Sequence, residues 1–163
     1  MEFLAQLHPP IVHFAVALII IGVIFDILGF IFRNDSLKHA GFWTIIMGAV
    51  AVWGAAVTGH QAEELVEEAV KGTGAYQLLE QHEEFGEILP WIASVLGLFR
   101  LFLHFKKHNL LFGLYLIAGI VVAGMIGFQG RIGGKLVYEY GVGVKTFQQQ
   151  IEKGHYYHEE DED

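Results

Sequence analysis

Apolar residues run almost unbroken through four stretches of the chain, 10–32, 40–59, 88–103 and 110–128, with polar or charged segments between them. A helix needs about 20 such residues to cross the hydrocarbon core of a bilayer. The pattern therefore predicts an all-α fold, an integral membrane four-helix bundle with an outer-face loop and a C-terminal cover. Residues 1–145 form the four-helix transmembrane domain in this reading, and 146–163 a polar, acidic tail. The third stretch is short for a span, but residues 75–87 read as helical and extend it beyond the bilayer. Pro90 then kinks that helix and swings His82 over the bundle. At the other end of the chain a proline is tolerated in a first helical turn, so Pro10 reads as the first helical residue and Pro9 as its cap. That places His8 and His13 at the two positions that fold back on each other at a helix entry.

Composition agrees with a membrane setting: 53% of the 163 residues are hydrophobic, 20 are glycine, and the mean hydropathy is +0.44. Residues 1–7 carry no Lys or Arg and the first apolar run exceeds a signal-peptide core, so that run is expected to remain as helix one. Arg33, Lys38, Arg100, Lys106 and Lys107 sit near helix ends on one side, opposed by Asp35. The positive-inside bias puts that side in the cytoplasm of an inner (cytoplasmic) membrane, with both termini and the 60–87 loop outside. The net charge of −8 belongs mostly to the outer face and the tail. It argues against nucleic acid or anionic lipid as an outer partner. With no cysteine, disulfides, thiolate metal sites, cysteine-held clusters and covalently attached haem are excluded.

Single positions then stand out. Asp26 lies about two-thirds of the way along helix one, at a depth where it either pairs with Arg100 or reaches interfacial water. Ala51, Ala55 and Gly59 give helix two a small-residue stripe for close packing, and Trp43 and Trp91 fall near opposite interfaces. Glu63, Glu64, Glu67 and Glu68 read as a solvated acidic face, broken at Gly72-Thr73-Gly74. His104 and His108 flank Lys106 and Lys107 as interface residues, and His155 and His158 are weak metal candidates. The segment Gly133–Val144, with its paired glycines and Tyr138, is expected to fold back as a lid over the outer mouth.

The histidines carry the functional reading. His8, His13, His60 and His82 come from three elements and all fall on the outer side, as a bis-histidine haem b or a small metal site requires. Each also has a plainer role: His60 as a cation at a helix C-terminus, the others as interfacial anchors. His13 and His82 are expected as principal ligands, with His8 and His60 as a second pair or in support. No hydrolytic triad, phosphate loop or zincin spacing is present.

His8-Pro-x-x-Val-His-Phe-x-x-Ala-Leu18, Thr58-Gly59, His82, and Gly133-Gly134-x-Leu-Val-Tyr-x-x-Gly-Val-Gly-Val144 together resemble the bacterial four-helix membrane domain catalogued as domain of unknown function 2231, over about residues 3–145. The resemblance implies a four-helix membrane domain, sometimes joined to Rieske-type iron–sulfur domains, and hence a redox setting. It marks His8, His13, His82, Gly133, Gly134 and Tyr138. Tyr140 departs from it, standing where many relatives carry histidine; if that histidine is a ligand, this chain lacks it or uses His60. Two functions are thus expected in the alternative. One is electron transfer through non-covalent haem b, between the quinone pool and an outer Rieske-type or cytochrome partner. The other is a non-redox subunit, or a Zn or Cu module, docking an enzyme complex. A homo-oligomer is compatible with both, and the sequence does not decide whether the protein is an enzyme.

Overall fold

The computed structural model describes residues 2–144; the expected acidic tail, with His155 and His158, lies outside the described residues. The chain forms α1 (Glu2–Ile31), α2 (Asp35–Glu64), a single-turn α3 (Glu67–Val70), α4 (Gly74–Phe105) and α5 (Asn109–Tyr138), with no strand among the described residues. The helices α1, α2, α4 and α5 are each long and apolar enough to cross a membrane. The all-α membrane bundle expected from the apolar pattern is the fold. α1 and α4 each pack against α2 and α5, so the four stand in a square with α1 facing α4 across one diagonal.

Each long helix has 30 or 32 residues, about 45 Å at 1.5 Å per residue, against a hydrocarbon core of about 30 Å. At one end the joints between helices span only residues 32–34 and 106–108, and the cations Lys38, Arg100 and Lys107 gather there; this is the basic end. The surplus helical turns collect at the opposite, histidine end. There α3, the start of α4 and the end of α5 share a small apolar cluster of Val70, Ala75, Leu79 and Leu136.

The α1–α2 pair is the closest-packed part of the bundle. A Cβ added at Gly22 would lie 2.9 Å from Ile45, at Gly29 2.8 Å from Lys38, at Gly41 2.5 Å from Asp26, at Gly48 2.8 Å from Ile19, and at Gly59 2.9 Å from His8. These pairs are the rungs of one antiparallel register about a turn at Arg33, whose φ of 51° is the left-handed value that closes it. With lipid outside as apolar as the core, close backbone approach is what holds such helices together. The small-residue stripe expected on α2 is a packing surface, though glycines 41, 48 and 59 make its tightest contacts with α1.

Two expectations are corrected. First, α1 begins at Glu2, so Pro9 and Pro10 are inside it and are neither cap nor first helical residue. The carbonyls their missing N–H groups leave free are those of Ala5 and Gln6, near the solvated end of the bundle, where water replaces the lost bonds. Second, α5 continues through Gly133 and Gly134 to Tyr138, so no lid spans Gly133–Val144. Two glycines cost a helix about 1 kcal/mol each, but Ile132 and Leu136, one turn apart and both buried, hold this stretch against the bundle. The turn comes later: Gly141 has φ 66°, its N–H reaches the Val137 carbonyl at 3.0 Å, and the Val142 N–H reaches that of Leu136 at 2.9 Å.

Candidate functional site

The glycine register that closes α1 onto α2 delivers His8 to Gly59. The His8 ring is half-buried, and its Nδ1 lies 3.0 Å from the Ala55 carbonyl and 3.2 Å from Thr58 Oγ1. Thr58 is itself buried and donates to the Gly54 carbonyl at 2.8 Å. A carbonyl only accepts, so His8 carries its proton on Nδ1, and Nε2 is left with a free lone pair.

Across the diagonal, α4 supplies His82. Its ring lies against α5, where a Cβ on Gly133 would sit 3.0 Å from His82 Cε1. The two imidazoles are related in kind: each comes from a diagonal helix and rests on a glycine of a flanking one. Among the described residues, His82 Nδ1 is fully enclosed and has no hydrogen-bond partner, and the same holds for Gln129 Oε1. Gln129 is anchored by its other end, Nε2 donating to the His82 carbonyl at 2.6 Å. An enclosed polar atom without a partner costs about 1–3 kcal/mol, so this end of the bundle carries two polar atoms for which no described residue supplies a partner.

His60, one residue beyond Gly59, is exposed and joins a second group. Its ring, the Glu63 carboxylate on α2 and the Glu83 carboxylate on α4 offer ligand atoms within 4.8 Å of one another, and His60 Nε2 also lies 3.6 Å from Glu64 Oε1. Oxygen and imidazole donors from two helices in that spacing suit a divalent ion such as zinc or copper.

The remaining sequence candidates fall elsewhere. His13 is exposed, with Nδ1 bonded to the Pro9 carbonyl of its own helix at 2.6 Å. In a continuous helix, five residues turn the side chain through about 140°, so His13 points away from His8, and the convergence expected from a proline cap does not occur. Gly134 faces open space, with nothing within 4 Å of an added Cβ. Tyr138 is 90% exposed and makes no side-chain hydrogen bond among the described residues. Tyr140 lies over Gly74, with Cε1 3.5 Å from where its Cβ would stand. The sequence reading missed Gln129, Glu63 and Glu83. Gln129 had a signal, an uncharged polar residue closing an otherwise apolar run; the two glutamates were hidden among six others of the same kind.

At the basic end Asp26 does pair with Arg100, as the first of its two expected roles. Arg100 Nε and Nη2 reach the two carboxylate oxygens at 2.8 and 2.9 Å, Nη2 also reaches the Lys38 carbonyl at 2.6 Å, and the Tyr115 hydroxyl donates to Oδ2 at 2.8 Å. The guanidinium lies between the Phe42 and Phe112 rings, 5.5 and 5.2 Å from their centroids.

In comparisons with known proteins, a family model described as "Predicted membrane protein (DUF2231)" matches residues 5–146. No curated protein and no solved structure matched the chain.

Proposed function

The chain belongs to the DUF2231 family of predicted membrane proteins, and from that premise we propose that its histidine end is a transition-metal site, with His8 and His82 as the principal ligands and zinc or copper as the ion. The observation that carries this reading is the enclosed Nδ1 of His82, without a hydrogen-bond partner among the described residues, at the same end of the bundle as the anchored His8 imidazole. His8 takes the place expected for His13, because the unbroken α1 turns His13 to the outside. His8 also has the support a metal-bound imidazole needs, since its Nδ1 bond to Ala55 O fixes the tautomer and aims Nε2. His60 and Glu63 on α2 and Glu83 on α4 provide further N and O donors at the same end of the bundle. Copper would supply one-electron redox chemistry; zinc would not.

The haem b electron-transfer reading is the second, favoured by that same His8 anchorage and by imidazoles arriving from opposite helices. It asks more of the fold, because each ring already lies close against a glycine of a neighbouring helix. We place the histidine end on the outer side of the cytoplasmic membrane, following the cations gathered at the other end.

The test is elemental analysis and an absorption spectrum of the protein purified in detergent. One zinc or copper per chain, lost in His8→Ala and in His82→Ala and released in acid as protons compete for the ligands, is the expected result. A Soret band, with α and β bands on reduction, would replace this reading with the haem one. Undiminished metal in His82→Ala would overturn it.

A further inference from the structure

The basic end holds a cavity of about 430 Å³ where all four long helices meet. Lys38, Arg100 and Lys107 line it together with His39 and His104, and Asp35 is its one unburied carboxylate. Lys38 is held by Asp35 at 3.2 Å, and Lys107 is exposed with no ion pair among the described residues. Arg100 is 3% exposed, yet part of its guanidinium is unused: Nε and Nη2 serve Asp26, and the second N–H of Nη2 serves the Lys38 carbonyl. Nη1 makes no hydrogen bond among the described residues.

Two further features belong to the same mouth. α5 starts there, capped by His108, whose Nδ1 takes the Leu111 N–H at 3.4 Å, so the positive end of a 30-residue helix faces the cavity. One wall is apolar: Phe30 and Phe112 stack at 5.7 Å. Around the rim Phe32, Phe105 and Leu110 are each about 70% exposed, which suits them to acyl chains. A cationic floor, a helix N-terminus and an aromatic wall thus meet at a tight helix end, the level at which lipid headgroups stand.

We propose that this cavity binds the phosphate of an anionic phospholipid, with Lys107 and Arg100 Nη1 on the phosphate oxygens and the chains leaving over the Phe30–Phe112 wall. The volume admits a glycerophosphate headgroup and no acyl chain, so the lipid enters by its head. The bidentate pair with Asp26 leaves the guanidinium fixed in direction, and the phosphate completes its hydrogen bonding. The site is independent of any ligand at the opposite end.

The experiment is native mass spectrometry of the whole protein released from bilayer discs containing equal phosphatidylglycerol and phosphatidylcholine. Preferential retention of phosphatidylglycerol is expected, falling about fivefold in Lys107→Gln, the equivalent of one lysine at a membrane surface. Arg131→Gln, a cation at the other end of α5, should leave retention unchanged. Equal retention of the two lipids, or loss of selectivity in Arg131→Gln but not in Lys107→Gln, overturns the proposal. Displacement of the bound lipid by millimolar inorganic phosphate would assign the cavity to a free anion and overturn the lipid assignment. Tryptophan fluorescence melts of both variants confirm that each is folded, so that a lost lipid reports on the site alone.

Discussion

Asp26 and Arg100 face each other across the bundle diagonal with both carboxylate oxygens engaged, at 2.8 and 2.9 Å, and with their side chains 0% and 4% exposed. The absence of a side chain at Gly41 makes room for the carboxylate, and the Tyr115 hydroxyl takes up one further lone pair. Neither charge is tolerable alone at this depth, so the pair ties α1 to α4, two helices whose backbones do not approach closely.

Removing one member strands the other. Arg100→Leu is expected to destabilise the bundle by about 3–5 kcal/mol, seen as a large drop in the thermal midpoint in detergent. Asp26→Leu combined with Arg100→Leu should recover much of that loss, because no lone charge remains. Tyr115→Phe removes one hydrogen bond to a charged group and should cost about 1.5–3 kcal/mol.

The two adjacent glycines of α5 are expected to behave differently. Gly133→Val drives a side chain into His82 and should lower metal occupancy at the histidine end. Gly134→Val meets nothing and should leave occupancy unchanged. Metal content per chain in the two purified variants checks this, and equal occupancy in both would mean that the His82–Gly133 contact positions no ligand.

His82→Leu separates a binding role from a packing one. An apolar side chain there removes the partnerless Nδ1, so the metal-free protein should gain about 1 kcal/mol or more of stability. The same variant should lose the stabilisation that added zinc or copper gives the native chain. Thermal melts with chelator and with metal read both effects; a variant still stabilised by metal would move the ligand role away from His82.

Because the chain has no cysteine, orientation is open to a clean labelling test. Gln61→Cys, at the histidine end, is expected to react with an impermeant maleimide in intact cells, and Lys38→Cys is not. The reverse pattern would invert the proposed topology.

Much of the architecture was legible in the chain. Four apolar runs of spanning length cannot be placed in water, and they set the helix count. The pairing of Asp26 with Arg100 was one of two roles that its depth allowed, the other being interfacial water, and the buried pair decides between them. The site was less legible, for a local reason. Pro9-Pro10 is a strong start signal, and reading it so put His8 and His13 on one face; the structure runs the helix through both prolines and turns them apart. The Gly133-Gly134 pair likewise signals a turn, but Ile132 and Leu136 bury against the bundle and keep that segment helical. In both places tertiary packing outweighed a local preference of a few kcal/mol at most. The glycines at 22, 29, 41 and 48 held the better clue, because their interleaved spacing fixes the α1–α2 register and, extended outward, sets His8 opposite Gly59.

That register bears on how the protein is made. The first two helices share a three-residue joint and a set of interlocking glycines, and they precede α4 in the order of synthesis, with Asp26 still lacking its partner. α4 arrives later carrying Arg100, a residue the bilayer rejects on its own. By then the Asp26 carboxylate is already in place on the hairpin, and it gives the newcomer a reason to stay and a depth at which to stop. The dependence is reciprocal, since each half of the chain carries a charge that the bilayer rejects until the other half is beside it.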